Sequence, residues 1–450
     1  MKTVLKQTTL AVAVAAGMFA TPALHAAPQG PTVSEQRNVG AFRSVELDGP
    51  FHVVIRAQGR PSLSLTGDAK QLAEIETITR GDTLVVRPLR RSGFSFALGK
   101  SAEPATVTIT TTMLYSLKTS GSGDVDVDQV AGDSFTVTVG GPGDVRAAGA
   151  VRELIINSQG SGDLDLRRMR AGGANIKMSG PGDVGVSSIS GELRLAVSGS
   201  GDLEADGLRL SGVSAELHGP GSVHLHGMAG HLRAHMDGSG DLEACSLAVE
   251  SASAVLRGPG NACVAGRLRK FEGEVHGSGD LSVGGLAAQE VRLRMTGPGN
   301  VELSGSTAML TADISGSGDL EAEQLAVNSA TVRSRGPGST ELATVEGTLD
   351  AELTGSGGLE AAMNGKRLAL RISGPANAEI SGRVDTINAQ LTGSGSLEAR
   401  DLLADQADVV VRGSGHATVN VRSRVETRTS SMNRSRAVTG ERSGARVQRD

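Results

Sequence analysis

The chain has no tryptophan, one tyrosine, seven phenylalanines and two cysteines in 450 residues. A globular core of this size normally relies on aromatic rings, which bury the most area per residue. Here the core must come from small aliphatic side chains at many similar sites. The scarcity of aromatics also weakens a sugar-binding role, since sugar faces stack on rings. Two cysteines, Cys245 and Cys263, match no metal-binding or redox spacing. A basic excess is missing as well. The formal net charge is −5, and the body, residues 27–420, carries about −12 once the leader and tail are set aside. Nucleic-acid binding, which needs a basic face, is thereby disfavoured. Long apolar runs are absent: the longest candidate, Leu10–Ala20, is too short to span a bilayer.

That short run has a use. Lys2 and Lys6 precede it and Leu24-His25-Ala26 follows, so Met1–Ala26 reads as a secretory signal. The mature chain is expected to begin at Ala27, with no membrane span, and to be exported to the periplasm, the outer-membrane surface or the medium. An oxidising destination permits a disulfide.

What the sequence has in abundance is glycine, 62 residues. A Gly-Ser-Gly or Gly-Pro-Gly triplet begins at Gly121 and recurs every 19 or 20 residues through Gly413, sixteen times, with Gly374 opening a Gly-Pro-Ala variant. Ser and Pro alternate at the middle position from Gly121 to Gly393, so the larger repeat is 39 residues. Positions are counted here from the first glycine of each triplet. Apolar residues stand at −6, −4 and −2, as in Leu193, Leu195 and Val197 before Gly199. They return at +4 and +6, as in Leu164 and Leu166 after Gly160. Alternation of this kind is a strand with one buried face. A further apolar residue is expected inside at +9: Val130, Met169, Met228, Leu325. Gly-Pro-Gly-Asp fits a type II turn, with the second glycine at positive φ. Ala376 violates that rule, so its turn should be strained or of another type.

Two short strands and two corners per 20 residues make one coil of a parallel β-helix. Propeller blades are the competing arrangement, and charge decides between them. The outward −3 column reads Glu274, Arg294, Asp313, Arg333, Glu352, Arg371, Gln390. Alternating sign is expected where equal positions of successive coils stack about 4.8 Å apart, because opposed like charges destabilise. Arg294 should therefore lie beside Glu274 and Asp313. The fold class is all-β: a single right-handed parallel β-helix of about sixteen coils. Residues 27–112 form a strand-rich cap with a short helix at Asp68–Glu76, residues 113–420 the repeats, and residues 421–450 an Arg-rich tail without regular structure.

The residues now point to a family. Ala41-Phe42-Arg43-Ser44-Val45-Glu46-Leu47-Asp48-Gly49-Pro50-Phe51-His52-Val53, Gly81-Asp82-Thr83-Leu84 and the Ser-Gly-Ser-Gly-Asp-Val runs from Ser120 resemble the putative auto-transporter adhesin, head GIN domain family, over about residues 40–420. The resemblance implies a β-helical fold, an exported location and an adhesive role, and it supplies no catalytic motif.

Three features of the sequence could carry chemistry. Enzymes on parallel β-helices build clefts from long loops, and units of 19 or 20 residues leave no such loop. A carbohydrate-active lyase or hydrolase is therefore the weaker alternative to a non-enzymatic adhesin or envelope scaffold, and no catalytic or cofactor-binding residue is assigned. The row Asp124, Asp144, Asp163, Asp183, Asp202 is a candidate for weak Ca²⁺ binding, although its spacing is unlike the nine-residue calcium repeats. Glu216, His218, His235 and Asp237 should face outward within one small square, a possible Zn²⁺ set, against the plainer reading of a solvated ladder. Cys245 and Cys263, at +7 and +5 of successive coils, should come near each other without ideal disulfide geometry, their diagonal being near 8 Å against a usual limit of about 7 Å, a gap that a small register shift would close. The expected partner is a component of the cell surface, matrix or envelope.

Overall fold

A computed structural model of the chain describes residues 32–89, 104–422, 436–440 and 443–448. The expected signal, Met1–Ala26, lies outside the described residues. The repeats form a parallel β-solenoid of about 15 turns, the sixteen triplets bounding fifteen complete coils. Leu193, Leu195 and Val197 lie between Ala174, Ile176 and Met178 on one side and Val213, Ala215 and Leu217 on the other. Equal positions stack, as the charge pattern required: Arg294 pairs with Glu274 and with Asp313. Each coil feeds its alternate side chains into one continuous core. In the coil opened by Gly199 these are Leu203, Ala205, Leu208, Leu210, Val213, Ala215 and Leu217, all buried.

The glycine corner works differently from a type II turn. None of the second glycines from Gly123 to Gly357 lies in the left-handed region. The triplet is a bend whose amides bond to the coil before it: the Gly201 N–H donates to the Gly180 carbonyl at 3.3 Å and the Ser198 N–H to the Met178 carbonyl at 2.8 Å. Glycine is required by proximity. A Cβ on Gly199 would land on the Gly180 carbonyl oxygen, and one on Gly201 on that of Gly182. Ala376 marks the expected change of turn. From there the first glycine rotates to positive φ, at Gly374 (114°), Gly393 (113°) and Gly413 (128°), and Ala376 turns its methyl into the core.

The second corner explains why 20-residue and 19-residue coils alternate. Gly-Ser-Gly coils before Gly355 bury a residue at +9, such as Val130, Met169 and Leu325, whereas the 19-residue coil from Gly355 buries Met363 at +8 and exposes Asn364. Most Gly-Pro-Gly coils instead place a left-handed glycine at +8, as at Gly149, Gly227, Gly266 and Gly305. At Gly149, Gly227 and Gly305 that glycine pairs with the +9 residue of the coil before, Gly227 with Leu208. Met228 is consequently a correction: it is expected inside, but it follows this glycine and is 56% exposed, while Ala229 takes the interior place.

At the N-terminal end, strands Ser44–Leu47 and His52–Arg56 make a first coil whose corner is Gly49-Pro50-Phe51; Gly121 and Gly123 stack on it. Above it Thr83–Pro88 and Thr106–Thr110 add in parallel. Strands Ile75–Arg80 and Ser62–Asp68 then add antiparallel, and Thr32–Arg37 joins the latter. Antiparallel strands cannot continue a parallel coil, so they end the stack, as the ends of repeat folds require. The helix spans Ala69–Ala73, capped by the Asp68 carboxylate, which accepts the Lys70 N–H at 2.9 Å. At the other end the last coil strand is His416–Val421. In the tail, where no regular structure was expected, strands Arg436–Gly440 and Ser443–Gln448 pair antiparallel, and the second covers His416–Val421.

Candidate functional site

With the core closed, the polar groups of the coils stand mainly on the outward columns. The aspartates at +3 are structural. The Asp124 carboxylate accepts the Asp144 N–H at 3.2 Å, Asp144 that of Asp163 at 3.0 Å, Asp163 that of Asp183 at 3.0 Å and Asp183 that of Asp202 at 2.8 Å. The ladder continues through Asp241, Asn261, Asp280, Asn300 and Asp319. Asparagine substitutes freely because only a side-chain carbonyl-type oxygen is needed. Each carboxylate of the proposed calcium row therefore has one oxygen committed to backbone. Beside the row an open groove of about 570 Å³ is lined by Asp163, Asp165, Asp202 and Glu204, with Arg146 and Arg167 among them. Arg167 pairs with Glu204, and this hydrogen bond holds the guanidinium above its ordinary pKa, against partial burial.

The +5 column contains what sequence reasoning missed. Glu302, Glu321, Glu341, Glu360, Glu379 and Glu398 occupy six successive coils and are direct backbone partners, each with the next. Partial burial, then Glu323, Glu360 and Glu321, push the Glu341 carboxyl above the ordinary carboxylate range. The signal was present in the sequence as one residue type at one position.

The expected histidine square assembles in part. The Nδ1 of His218 lies 3.4 Å and the Nε2 of His235 3.3 Å from the same Asp237 oxygen, with the two rings 6.4 Å apart. Glu216 is the cross-strand partner of His235. Arg257 Nη1 stands 2.7 Å from His235 Nε2 and 3.7 Å from Asp237 Oδ1. Among the described residues no group of three or more His, Cys, Asp and Glu stands so that it could hold a metal ion. Of the other histidines nearby, His226 pairs with Asp206 at 3.0 Å.

The expected closeness of the two cysteines holds and the expected 8 Å separation is corrected: Cys245 and Cys263 form a disulfide, with Cα atoms 5.3 Å apart. Equal-position reasoning overlooked a bulge. Ala244 pairs with Val264, but the next pair is Ala248 with Ala265, so Cys245 and Ser246 bulge while Leu247 stays buried in the core, and Cys245 comes to its partner.

Closed aliphatic coils, corners built on glycine and polar groups carried on exposed ladders define, among the described residues, a β-solenoid repeat protein with an extended outer surface. The sequence matches the family described as putative auto-transporter adhesin, head GIN domain, over residues 41–190, 174–269, 266–360 and 344–433, and the chain belongs to it. Similar solved structures include a putative adhesin from Bacteroides fragilis, 18% identical over 61% of this chain and 97% of that one, with a TM-score of 0.27. A putative adhesin from Parabacteroides distasonis is 18% identical over 65% and 97%, TM-score 0.32. A putative lipid binding protein from the same species is 13% identical over 89% and 97%, TM-score 0.21. No curated protein matches.

Proposed function

We propose that the protein is a non-enzymatic, exported adhesin or envelope scaffold that acts through its long repetitive surface by many weak contacts. The observation that carries this is uniformity. From Gly121 to Gly413 every coil is 19 or 20 residues and offers the same outward positions, with no inserted loop to build a cleft. Membership of an adhesin-described family supports the reading. Binding spread over many coils gains by linkage, by a factor of about 10² to 10⁴, without a single strong site. Export rests on the Met1–Ala26 leader; among the described residues no helix is long and apolar enough to cross a membrane.

The reading is tested by fractionating the native host and detecting the protein in cytoplasm, periplasm, outer membrane and medium. It predicts recovery outside the cytoplasm, with the purified chain retained on envelope or matrix preparations and inert towards a panel of polysaccharides. Cytoplasmic recovery contradicts the export, and turnover of any polysaccharide contradicts the non-enzymatic role.

A further inference from the structure

The second corner of one coil departs from the repeat in three ways at once. From Gly121 to Gly316 the exposed residue at +10 of the Gly-Ser-Gly coils is alanine at Ala131, Ala248, Ala287 and Ala326, but arginine at Arg170 and Arg209. The coil between these two arginines, opened by Gly180, breaks its strand at this corner into Val184–Ser187 and Glu192–Val197, whereas the other coils from Gly121 to Gly393 run round it as one strand. Its +8 position, a left-handed glycine at Gly149, Gly227, Gly266 and Gly305, holds Ser188 at φ 56°. A side chain in that region is strained, and strain of this kind clusters at binding sites.

Arg170, Ser190 and Arg209 hold equal positions on three successive coils. The Ser190 N–H donates to the Ala171 carbonyl at 3.0 Å and the Arg209 N–H to the Ile189 carbonyl at 2.9 Å. Coils stacked about 4.8 Å apart put the two arginines about 10 Å apart, with a serine between them. Both line an open notch of about 660 Å³ together with Ser188, Ser190, Gly172 and Gly207, and no carboxylate lines it. Neighbouring arginines are paired: Arg152 with Asp133 at 2.8 Å, Arg168 with Asp128 at 3.4 Å and Arg194 with Glu192 at 2.6 Å. Among the described residues Arg170 and Arg209 have no carboxylate within 4.0 Å. We propose that Arg170, Arg209 and the hydroxyls of Ser188 and Ser190 bind a tetrahedral oxyanion, a phosphate or sulfate group, at this corner. Guanidinium presents forked N–H donors that match oxyanion geometry, and its charge strengthens each hydrogen bond. The serine hydroxyls add short, uncharged donors. The Ser190 hydroxyl donates to the Ala171 carbonyl at a long 3.3 Å and turns to the anion when one is bound. An anion seated between the two guanidiniums also relieves their mutual repulsion. The site adds one discrete contact to a surface that otherwise repeats.

The test uses the full chain in chloride buffer at pH 7.5 and constant ionic strength. Binding of inorganic phosphate, and separately of glucose 1-phosphate, is followed by phosphorus NMR line broadening, with Na₂SO₄ as competitor and NaCl as the screening control. The expected result is one saturable phosphate site per chain, emptied by sulfate and not by chloride at equal ionic strength. Tighter binding of glucose 1-phosphate than of phosphate assigns the site to a sugar-borne group; the reverse order assigns it to the free ion. The double variant Arg170→Ala, Arg209→Ala should lose about ten-fold or more in affinity. Its circular dichroism should be unchanged, because alanine is what four other coils carry at this position. Ser188→Gly restores the usual corner glycine and should raise the thermal midpoint while weakening phosphate binding several-fold, a trade that a merely structural serine would not give. No saturable phosphate binding, binding kept by the double arginine variant, or unchanged affinity in Ser188→Gly would each overturn the proposal. Attachment is not the readout, so failure here leaves the proposed function standing.

Discussion

On the coils after Gly297 two exposed columns flank the same glycine corner and obey opposite rules. At −3, Asp313, Arg333, Glu352 and Arg371 alternate in sign, and Arg333 reaches Glu352 at 4.0 Å. At +5, Glu302 through Glu398 repeat one sign six times in register. Backbone pairing and core are common to both, so neither pattern is dictated by the fold. Magnitudes say why both are tolerated. A buried Leu or Val contributes roughly 1.5–3 kcal/mol, while a cross-strand surface pair contributes roughly 0.2–1 kcal/mol of either sign. Alternation at −3 adds a little stability; uniformity at +5 removes a little. On the proposed reading, a column that weakens the fold yet stays uniform is a candidate part of the surface through which the protein acts.

That contrast can be broken on its ordered side. Arg333→Glu places an acid between Asp313 and Glu352, converting two attractive neighbours into two repulsive ones. We expect the largest effect here, a loss of about 1–2 kcal/mol read as a lower thermal midpoint. Glu341→Gln on the other column should do the opposite and stabilise, by about 0.5 kcal/mol, because two like-charge neighbours lose their partner. If both substitutions destabilise, the two columns do not differ as described.

Acidification sharpens the comparison further. The Glu341 carboxyl has a raised pKa, so the folded chain holds its proton more tightly than the unfolded chain. The penalty is absent below the ordinary carboxylate value of about 4.3, grows as pH rises, and is complete above the folded pKa. The advantage of Glu341→Gln should thus be present at pH 7 and shrink towards pH 4 in parallel melting curves; an advantage that grows on acidification would give the wrong sign. Salt should produce the smallest change. At physiological ionic strength the Debye length is about 8 Å, so both substitutions should lose part of their effect on going to 1 M NaCl, the remainder reflecting close neighbours that screen poorly.

Much of this was legible in the sequence, and the parts that were not share a cause. Alternating apolar residues gave the strands, and the sign pattern of Glu274, Arg294 and Asp313 gave the parallel register, because both depend only on position within the unit. Met228 and the Cys245–Cys263 separation were misjudged because they depend on how the second corner slips between neighbouring coils. A glycine at +8 in one coil answers a leucine at +9 in the coil before, and Cys245 and Ser246 bulge after Ala244. Counting from the triplet cannot register such slips. The glycine requirement was right in identity but wrong in origin, since a turn type is a property of one chain segment and the constraint is the carbonyl of the coil below. The glutamate column was readable and overlooked; the +3 and −3 columns drew the attention.

The central claim is that action is distributed over the coils. It is tested most directly by a series of deletions that each remove one 39-residue unit: Gly160–Ser198, Gly199–Asp237 or Gly316–Thr354. Removing Gly316–Thr354 leaves Asp313 beside Arg371 and keeps the alternation of triplets, and neighbour-summed stability lets the shortened solenoid fold. Attachment of each variant to host envelope or matrix fractions is then measured against the number of coils retained, with circular dichroism as the folding control. The account predicts a graded loss that is similar whichever unit is removed and deepens when units are removed together. Complete loss from one deletion alone, with the β-solenoid spectrum intact, would place the activity in a single discrete site and contradict it.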